Sequence, residues 1–303
     1  MYGVIDIGSN TIRLALYKII DNKIEMMLNK KYTAGLAQYI KKQHLEPRGI
    51  KTAVDVLNEY NLILEHIRVK RLYIFATAVF RNIDNTEEVL AEIKEKCGLK
   101  IQILTGDEEA AYDYYGAVQN SDLTDGLLVD IGGGSTELVV YENKKIIHTA
   151  SIPAGSLTTY NSFVKNIIPD VSEIEEIKKF VNSELERISL PELKSDIICG
   201  VGGSIRASLK VLKELHEDIK NEYDISALDE IFSMIQTDKR EITSLILAAA
   251  PERIHTLICG ITILKTVAEH FGSKNVIVSK SGVREGFLCY QLEQKGVISC
   301  CRK

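Results

Sequence analysis

Val4-Ile5-Asp6-Ile7-Gly8-Ser9-Asn10-Thr11 and Val129-Asp130-Ile131-Gly132-Gly133-Gly134-Ser135-Thr136 are two copies of one pattern, with Asp6 recurring as Asp130. Each is a short apolar strand ending in an aspartate, then a Gly/Ser turn, then a second apolar strand. Glycine lets the backbone turn tightly and bring N–H groups against an anion with no Cβ in the way. The aspartate repels phosphate directly, but it can hold the cation that accompanies phosphate. Two such loops facing each other would grip a phosphate chain from both sides with a metal ion between them.

The repeat reaches well past the loops. In the first half, Tyr2–Ile7, Thr11–Ile20 and Ile24–Lys31 read as strands, with Asp21-Asn22-Lys23 as a hairpin turn. Helical spacing covers Arg48–Val69, then come a strand at Leu72–Ala76, a helix at Thr86–Cys97, a strand at Ile101–Thr105 and a helix opening at Asp107. The second half repeats the order. Leu127–Ile131, Thr136–Tyr141 and Lys145–Ile152 are strands, with Glu142-Asn143 as the turn. A helix at Ser172–Ile188 opens with Ser172 and Glu175 as a capping box. Strand Asp196–Val201, helix Ser204–Glu217, strand Asn275–Ser279 and helix Val283–Glu293 follow, with a helical insertion at about 226–271. Both halves read βββαβαβα, an α/β chain of two similar domains, 1–121 and 122–303, whose last helix is free to pack back on the first. Parallel crossovers put the loops at the carboxyl ends of the strands, where α/β sheets bind ligands, so the cleft between the halves is the expected site.

Composition sets the outer bounds. The 303 residues suffice for two domains with real cores, and the hydrophobic and charged fractions are those of a globular protein. No apolar run approaches the ~18 residues of a membrane span, and the N-terminus enters a strand at once, so a cytoplasmic protein is expected. The six cysteines fall in no metal or disulfide spacing and read as small core residues, with Cys300 and Cys301 in a polar tail. A net charge of −5 argues against a nucleic-acid-binding protein and leaves room for a polyanion in a locally basic cleft. Lys30-Lys31, Lys41-Lys42 and the Arg68/Lys70-Arg71 cluster read as solvated surface. The six histidines show no metal spacing.

Asp6-Ile-Gly-Ser-Asn-Thr, Gly106-Asp-Glu-Glu-Ala110 and Asp130-Ile-Gly-Gly-Gly-Ser-Thr-Glu137 resemble signatures of the exopolyphosphatase/guanosine pentaphosphate phosphohydrolase family. Gly200-Val-Gly-Gly-Ser204 resembles a third loop of its superfamily, and Val283-Arg-Glu-Gly286 a family motif near the C-terminus. The superfamily is that of actin, hexokinase and the heat-shock ATPases. The resemblance therefore implies duplicated ribonuclease H-like, actin-like ATPase domains with an interdomain cleft. It covers essentially the whole chain and is closest to the short, two-domain form.

Phosphoanhydride hydrolysis needs positive charge on the transferring phosphoryl, in-line positioning and a group that orients or deprotonates water. Glu109 matches the family's catalytic base; the alternative for Asp107, Glu108 and Glu109 is a first helical turn complementing the helix dipole, with Asp107 as N-cap. Asp130 ends a buried strand, where an unpaired carboxylate costs several kcal/mol and calls for a metal or a donor network. Glu137 sits in a strand, where glutamate is disfavoured. Asp130 and Glu137 are assigned to Mg²⁺ or another divalent cation, or to the attacking water, with Asp6 as a further metal ligand. Ser9, Asn10, Gly133, Gly134 and Ser135 form the phosphate cradle, and Arg81 matches a family arginine expected to reach phosphate.

The expected function is release of terminal orthophosphate from inorganic polyphosphate or guanosine pentaphosphate. The choice between them stays open, as does a homodimer. An ATP-dependent kinase on the same fold would need an adenosine pocket and a base beside an acceptor hydroxyl. A non-catalytic alarmone or polyphosphate sensor would have no use for a base.

Overall fold

The computed structural model describes residues 1–118, 121–191 and 196–298; Cys300 and Cys301 lie outside them. The first half runs β1 (Tyr2–Ile7), β2 (Thr11–Ile20), β3 (Lys23–Thr33), the small strands β4 (Ile40–Lys41) and β5 (His44–Leu45), α1 (Pro47–Glu65), β6 (Arg71–Ala76), α2 (Ala78–Arg81), α3 (Thr86–Cys97), β7 (Gln102–Ile103) and α4 (Gly106–Val118). The second runs β8 (Gly126–Ile131), β9 (Thr136–Glu142), β10 (Lys145–Ile152), α5 (Ser156–Phe163), α6 (Val171–Leu185), β11 (Ile197–Val201), α7 (Gly203–Leu215), β12 (Glu222–Asp224), α8 (Leu228–Thr237), α9 (Lys239–Ala249), α10 (Leu257–Phe271), β13 (Asn275–Val278) and α11 (Val283–Glu293).

Each half builds one sheet on the same plan. The first has strand order β3-β2-β1-β6-β7, the second β10-β9-β8-β11-β13-β12. Three antiparallel strands form a meander, and parallel strands extend it from β1 and from β8. The short β12 adds an antiparallel edge to the second sheet only.

Local chemistry explains most boundaries. Asp21 and Asn22 take φ of 48° and 63°, the left-handed pair that a two-residue hairpin turn requires. The second hairpin turns on Asn143 and Lys144, one residue later than the expected Glu142-Asn143. Pro47 opens α1 at a position where its missing N–H costs nothing. That helix stops at Glu65 rather than Val69, where the His66 N–H turns back to the Ile63 and Leu64 carbonyls.

The capping box of α6 is Asp170 and Glu173, not Ser172 and Glu175. Asp170 Oδ1 accepts from the Glu173 N–H at 2.9 Å, and Glu173 Oε2 accepts from the Asp170 N–H at 3.0 Å. Ser172 instead donates its hydroxyl to Asp170 Oδ1. The same spacing fits both registers, and the carboxylate is the stronger acceptor of the two.

Two cores flank each sheet. On one face of the first, Ile5, Ile12 and Leu14 pack with Ile50, Leu57 and Tyr60 of α1 and Val89 and Ile93 of α3. On one face of the second, Leu127, Val129 and Ile198 pack with α6, α7 and α10. Within the segment expected as an insertion, α10 is core: Leu257–Leu264 are all buried.

The inner faces meet α4 and α11. Tyr112 of α4 joins Tyr2, Val4, Tyr17 and Phe75 of the first sheet, while Ala110, Tyr114 and Ala117 pack on Leu128, Val139 and Val201 of the second. Phe287, Leu288 and Leu292 of α11 pack on the first sheet, although they follow the second in sequence. The two helices cross at bare backbone. A Cβ on Gly286 would lie 1.7 Å from the Tyr112 carbonyl oxygen, and one on Gly116 would lie 2.2 Å from that of Gly282. This crossing sets α4, and the acids on it, at the junction of the two halves.

Candidate active site

The two glycine-containing loops face each other across the junction. The Gly8 N–H donates to the Thr11 carbonyl and the Gly132 N–H to that of Ser135, so both turns close in the same way. Gly133 and Gly134 pack directly against Ser9 and Asn10; a Cβ on Gly134 would meet Ser9 Oγ at 2.5 Å. Behind each loop stands a helical turn. Ser9 and Asn10 carbonyls accept from Ala37 and Gly35, and the Gly132 and Gly133 carbonyls accept from Ser156, Leu157 and Thr158 at the start of α5. That short helix escaped sequence reading because eight residues carry too little periodicity to register.

Strand register sets the acids. Asp130 at the end of β8 lies directly opposite Glu137 on β9, as Asp6 lies opposite Arg13 in the first half. Opposed residues of an antiparallel pair have Cβ atoms about 4.5–5.5 Å apart on one face. The duplication has thus kept the aspartate and exchanged its partner: acid–base in one half, acid–acid in the other. Glu109, in the first turn of α4, completes the acid group.

Glu109 Oε2 accepts from Arg81 Nη1 at 2.9 Å, and the same nitrogen donates to the Leu104 carbonyl at 2.8 Å. Arg81 Nη2 stands 3.8 Å from Glu137 Oε1, which also accepts from the Ser135 and Ser151 hydroxyls at 2.6 and 2.9 Å. Arg81 is therefore turned to the acids, between Glu109 and Glu137. Burial, and then the charge of Glu137, push the Glu109 carboxyl well above the usual carboxylate range, against the pull of Arg81. Burial and Asp130 raise Glu137 to about 7, and burial raises Asp130.

The rest of the first helical turn is structural. Thr105 and Glu108 form its capping box: the Glu108 N–H donates to Thr105 Oγ1 and the Thr105 N–H to Glu108 Oε2. Asp107, the expected N-cap, instead accepts from the Thr149 hydroxyl across on β10.

Of the acids expected to hold a cation, Asp130 and Glu137 each keep one buried oxygen with no donor, Oδ1 and Oε2. Those orphaned oxygens suit a hard cation. Asp6 differs: its Oδ2 accepts from Arg284 Nη1 at 3.0 Å. Among the described residues no three His, Cys, Asp or Glu side chains converge as a metal cage would require. Mg²⁺ is commonly bound through one or two carboxylates, with substrate phosphates and water completing its shell.

The cleft encloses about 110 Å³, and sequence reasoning missed five of its charged residues: Arg13, Asp113, Arg206, Arg253 and Arg284. Burial, and then the neighbouring Arg284, lower the Arg13 guanidinium to about 10. Burial likewise lowers Arg206 and Arg253. Such a set of desolvated guanidiniums suits a multiply charged anion. Lys31, expected on solvated surface, is half-buried beside Arg253 and Arg13, which lower its pKa after burial does. Arg284 was legible within the Val283–Gly286 motif, and Arg13 as the repeat partner of Glu137. Arg206 and Arg253 carry no sequence signal.

Known proteins resemble this chain along its length. It is 26% identical over 312 residues to the bifunctional 3-dehydroquinate synthase/phosphatase of Fusobacterium nucleatum, covering 96% of this chain and 46% of that protein. It is 23% identical to the guanosine-5'-triphosphate,3'-diphosphate pyrophosphatase of Photobacterium profundum, over 97% of this chain and 60% of the other. The chain spans about half the length of these curated relatives. A crystal structure of the Aquifex aeolicus member of the Ppx/GppA family superposes with a TM-score of 0.78 at 27% identity, covering 97% of this chain and 98% of that one. At that score the two chains share the two-sheet fold described above. Among the described residues no helix is long and apolar enough to cross a membrane. The model of the Ppx/GppA phosphatase family matches residues 15–295, and this chain belongs to that family.

Proposed function

We propose that this chain is a phosphohydrolase of phosphoanhydride bonds, releasing terminal orthophosphate from inorganic polyphosphate or guanosine pentaphosphate in the cytoplasm. The observation that carries this reading is the meeting of Glu109, Asp130 and Glu137 beside two anion-binding loops that face each other. A pure binding protein has no use for three buried acids at the phosphate.

In this reading the backbone amides of Gly133 and Gly134, with Ser9, Asn10 and Ser135, hold the terminal phosphoryl group. The buried guanidiniums take up the charge that spreads over its oxygens as the bond breaks. Glu109 orients a water for in-line attack and accepts its proton. Arg81 favours the ionised form of Glu109, against burial and the nearby Glu137. Asp130, with an acid beside it, would hold Mg²⁺ or another divalent cation, which when bound would neutralise the phosphate oxygens and align the leaving group.

Orthophosphate release from the two substrates, measured side by side with Mg²⁺ present, tests the reading. Release from neither overturns it. Glu109→Gln keeps the shape and removes the base, so kcat falls by ~10²–10⁴ with KM little changed. Turnover within about threefold of the unsubstituted protein removes Glu109 from this role.

A further inference from the structure

Asp113 lies one helical turn after Glu109, so α4 presents both from the same face. Its side chain is fully buried, lines the cleft, and has neither oxygen on an N–H or O–H donor. Beside it is Asp130, whose Oδ1 is orphaned as well, and the two carboxyls are within hydrogen-bonding reach of each other. Arg206 and Arg284 act on Asp130 from nearby. Among the described residues, however, no ammonium or guanidinium is bonded to either aspartate.

The walls next to the pair are glycine. A Cβ on Gly282 would come 3.1 Å from Asp113 Oδ1, and one on Gly202 would come 2.2 Å from Asp130 Oδ1. Side chains at these two positions would fill the space the carboxyls face. Burying an unpaired carboxylate is costly, and burying two in contact is worse, unless positive charge or a shared proton joins them.

We propose that Asp113 and Asp130 together hold the divalent cation, as a two-carboxylate site whose remaining positions are open to substrate phosphate and water. The phosphate half of this statement rests on the phosphohydrolase reading. Two carboxylates with phosphate and water form the shell Mg²⁺ commonly takes. Glu137, already accepting from Ser135 and Ser151, then serves as the acid facing Glu109.

The test is direct binding of Mn²⁺ to the full chain with inorganic phosphate present, read calorimetrically or from the resonance of free Mn²⁺, without turnover. Asp113→Asn is expected to weaken Mn²⁺ binding by about tenfold or more. It should also abolish the rise in Tm that Mn²⁺ gives the unsubstituted protein. With no metal present the variant should melt no lower, since the amide donates to Asp130. Should it fail to fold, Asp113→Ser offers Asp130 a hydroxyl donor in a smaller side chain and repeats the measurement. Equal Mn²⁺ affinity in variant and unsubstituted protein would mean a proton-sharing pair and overturn the proposal, as would absence of binding at millimolar Mn²⁺. Loss of Mn²⁺ binding in a protein that releases phosphate from neither substrate would leave the cation site standing and the phosphohydrolase reading refuted.

Discussion

Glu109 sits between opposing influences: burial and Glu137 favour its protonated form, and the Arg81 guanidinium at 2.9 Å favours the carboxylate. A general base works only when ionised, so its pKa sets the acid limb of the rate profile. Arg81→Gln removes the charge that holds Glu109 down and leaves those that push it up. The acid limb of kcat/KM is therefore expected to move to higher pH, with the largest loss of rate at the acid end. A pH profile of kcat/KM checks this. An unmoved limb with a uniform drop in rate would assign Arg81 to phosphate contact instead.

At the level of elements, the second glycine-containing loop depends on α5. Gly155 stands before that helix, and a Cβ there would come 2.4 Å from the carbonyl carbon and oxygen of Gly133 and from the Gly134 nitrogen. These are backbone atoms, which no rotamer change can relieve. Gly155→Ala must push α5 and the loop apart, at a cost of about 1–3 kcal/mol typical of overpacking. It should also raise KM, because the displaced amides are those assigned to the phosphoryl group. Denaturant melts and steady-state kinetics read the two effects separately. An unchanged KM would show that the loop does not bind substrate.

Across the whole molecule, the halves are joined by α4 and α11. Phe287 of α11 contacts the rings of Tyr73 and Phe75 in the first sheet and of Tyr112 in α4, with centroids 4.9–5.8 Å apart. Glu285 adds a polar tie, accepting from Tyr17 of β2 and from the Gly282 N–H that opens α11. Phe287→Ala is expected to cost about 3–5 kcal/mol, the range for a buried phenylalanine, seen as a lowered Tm. Because α4 carries Glu109 and Asp113, the folded variant should also lose kcat. A loss of stability without loss of kcat would show that the first turn of α4 is positioned by its contacts with the second sheet alone.

The repeat, the two glycine-containing loops and the acids at the strand ends were legible in the sequence, because each rests on interactions local to a few residues. A period-two strand, a glycine turn and a terminal aspartate stay recognisable wherever the chain packs them. The cap of α6 was misplaced by two residues because Asp170/Glu173 and Ser172/Glu175 fit the same spacing, and only the actual hydrogen bonds choose between them. The arginines at 13, 206, 253 and 284 come from elements far apart in sequence, and only tertiary packing brings them to one cleft. Asp113 was silent for another reason: on a helix, an acid reads as solvent-facing until the helix is found buried between two sheets. Sequence by itself determined the duplicated halves and which residues stand at the tips of their strands. Tertiary structure decided which charges share the cleft, because helix crossings and cross-strand register are set by packing between segments that carry no mark of one another.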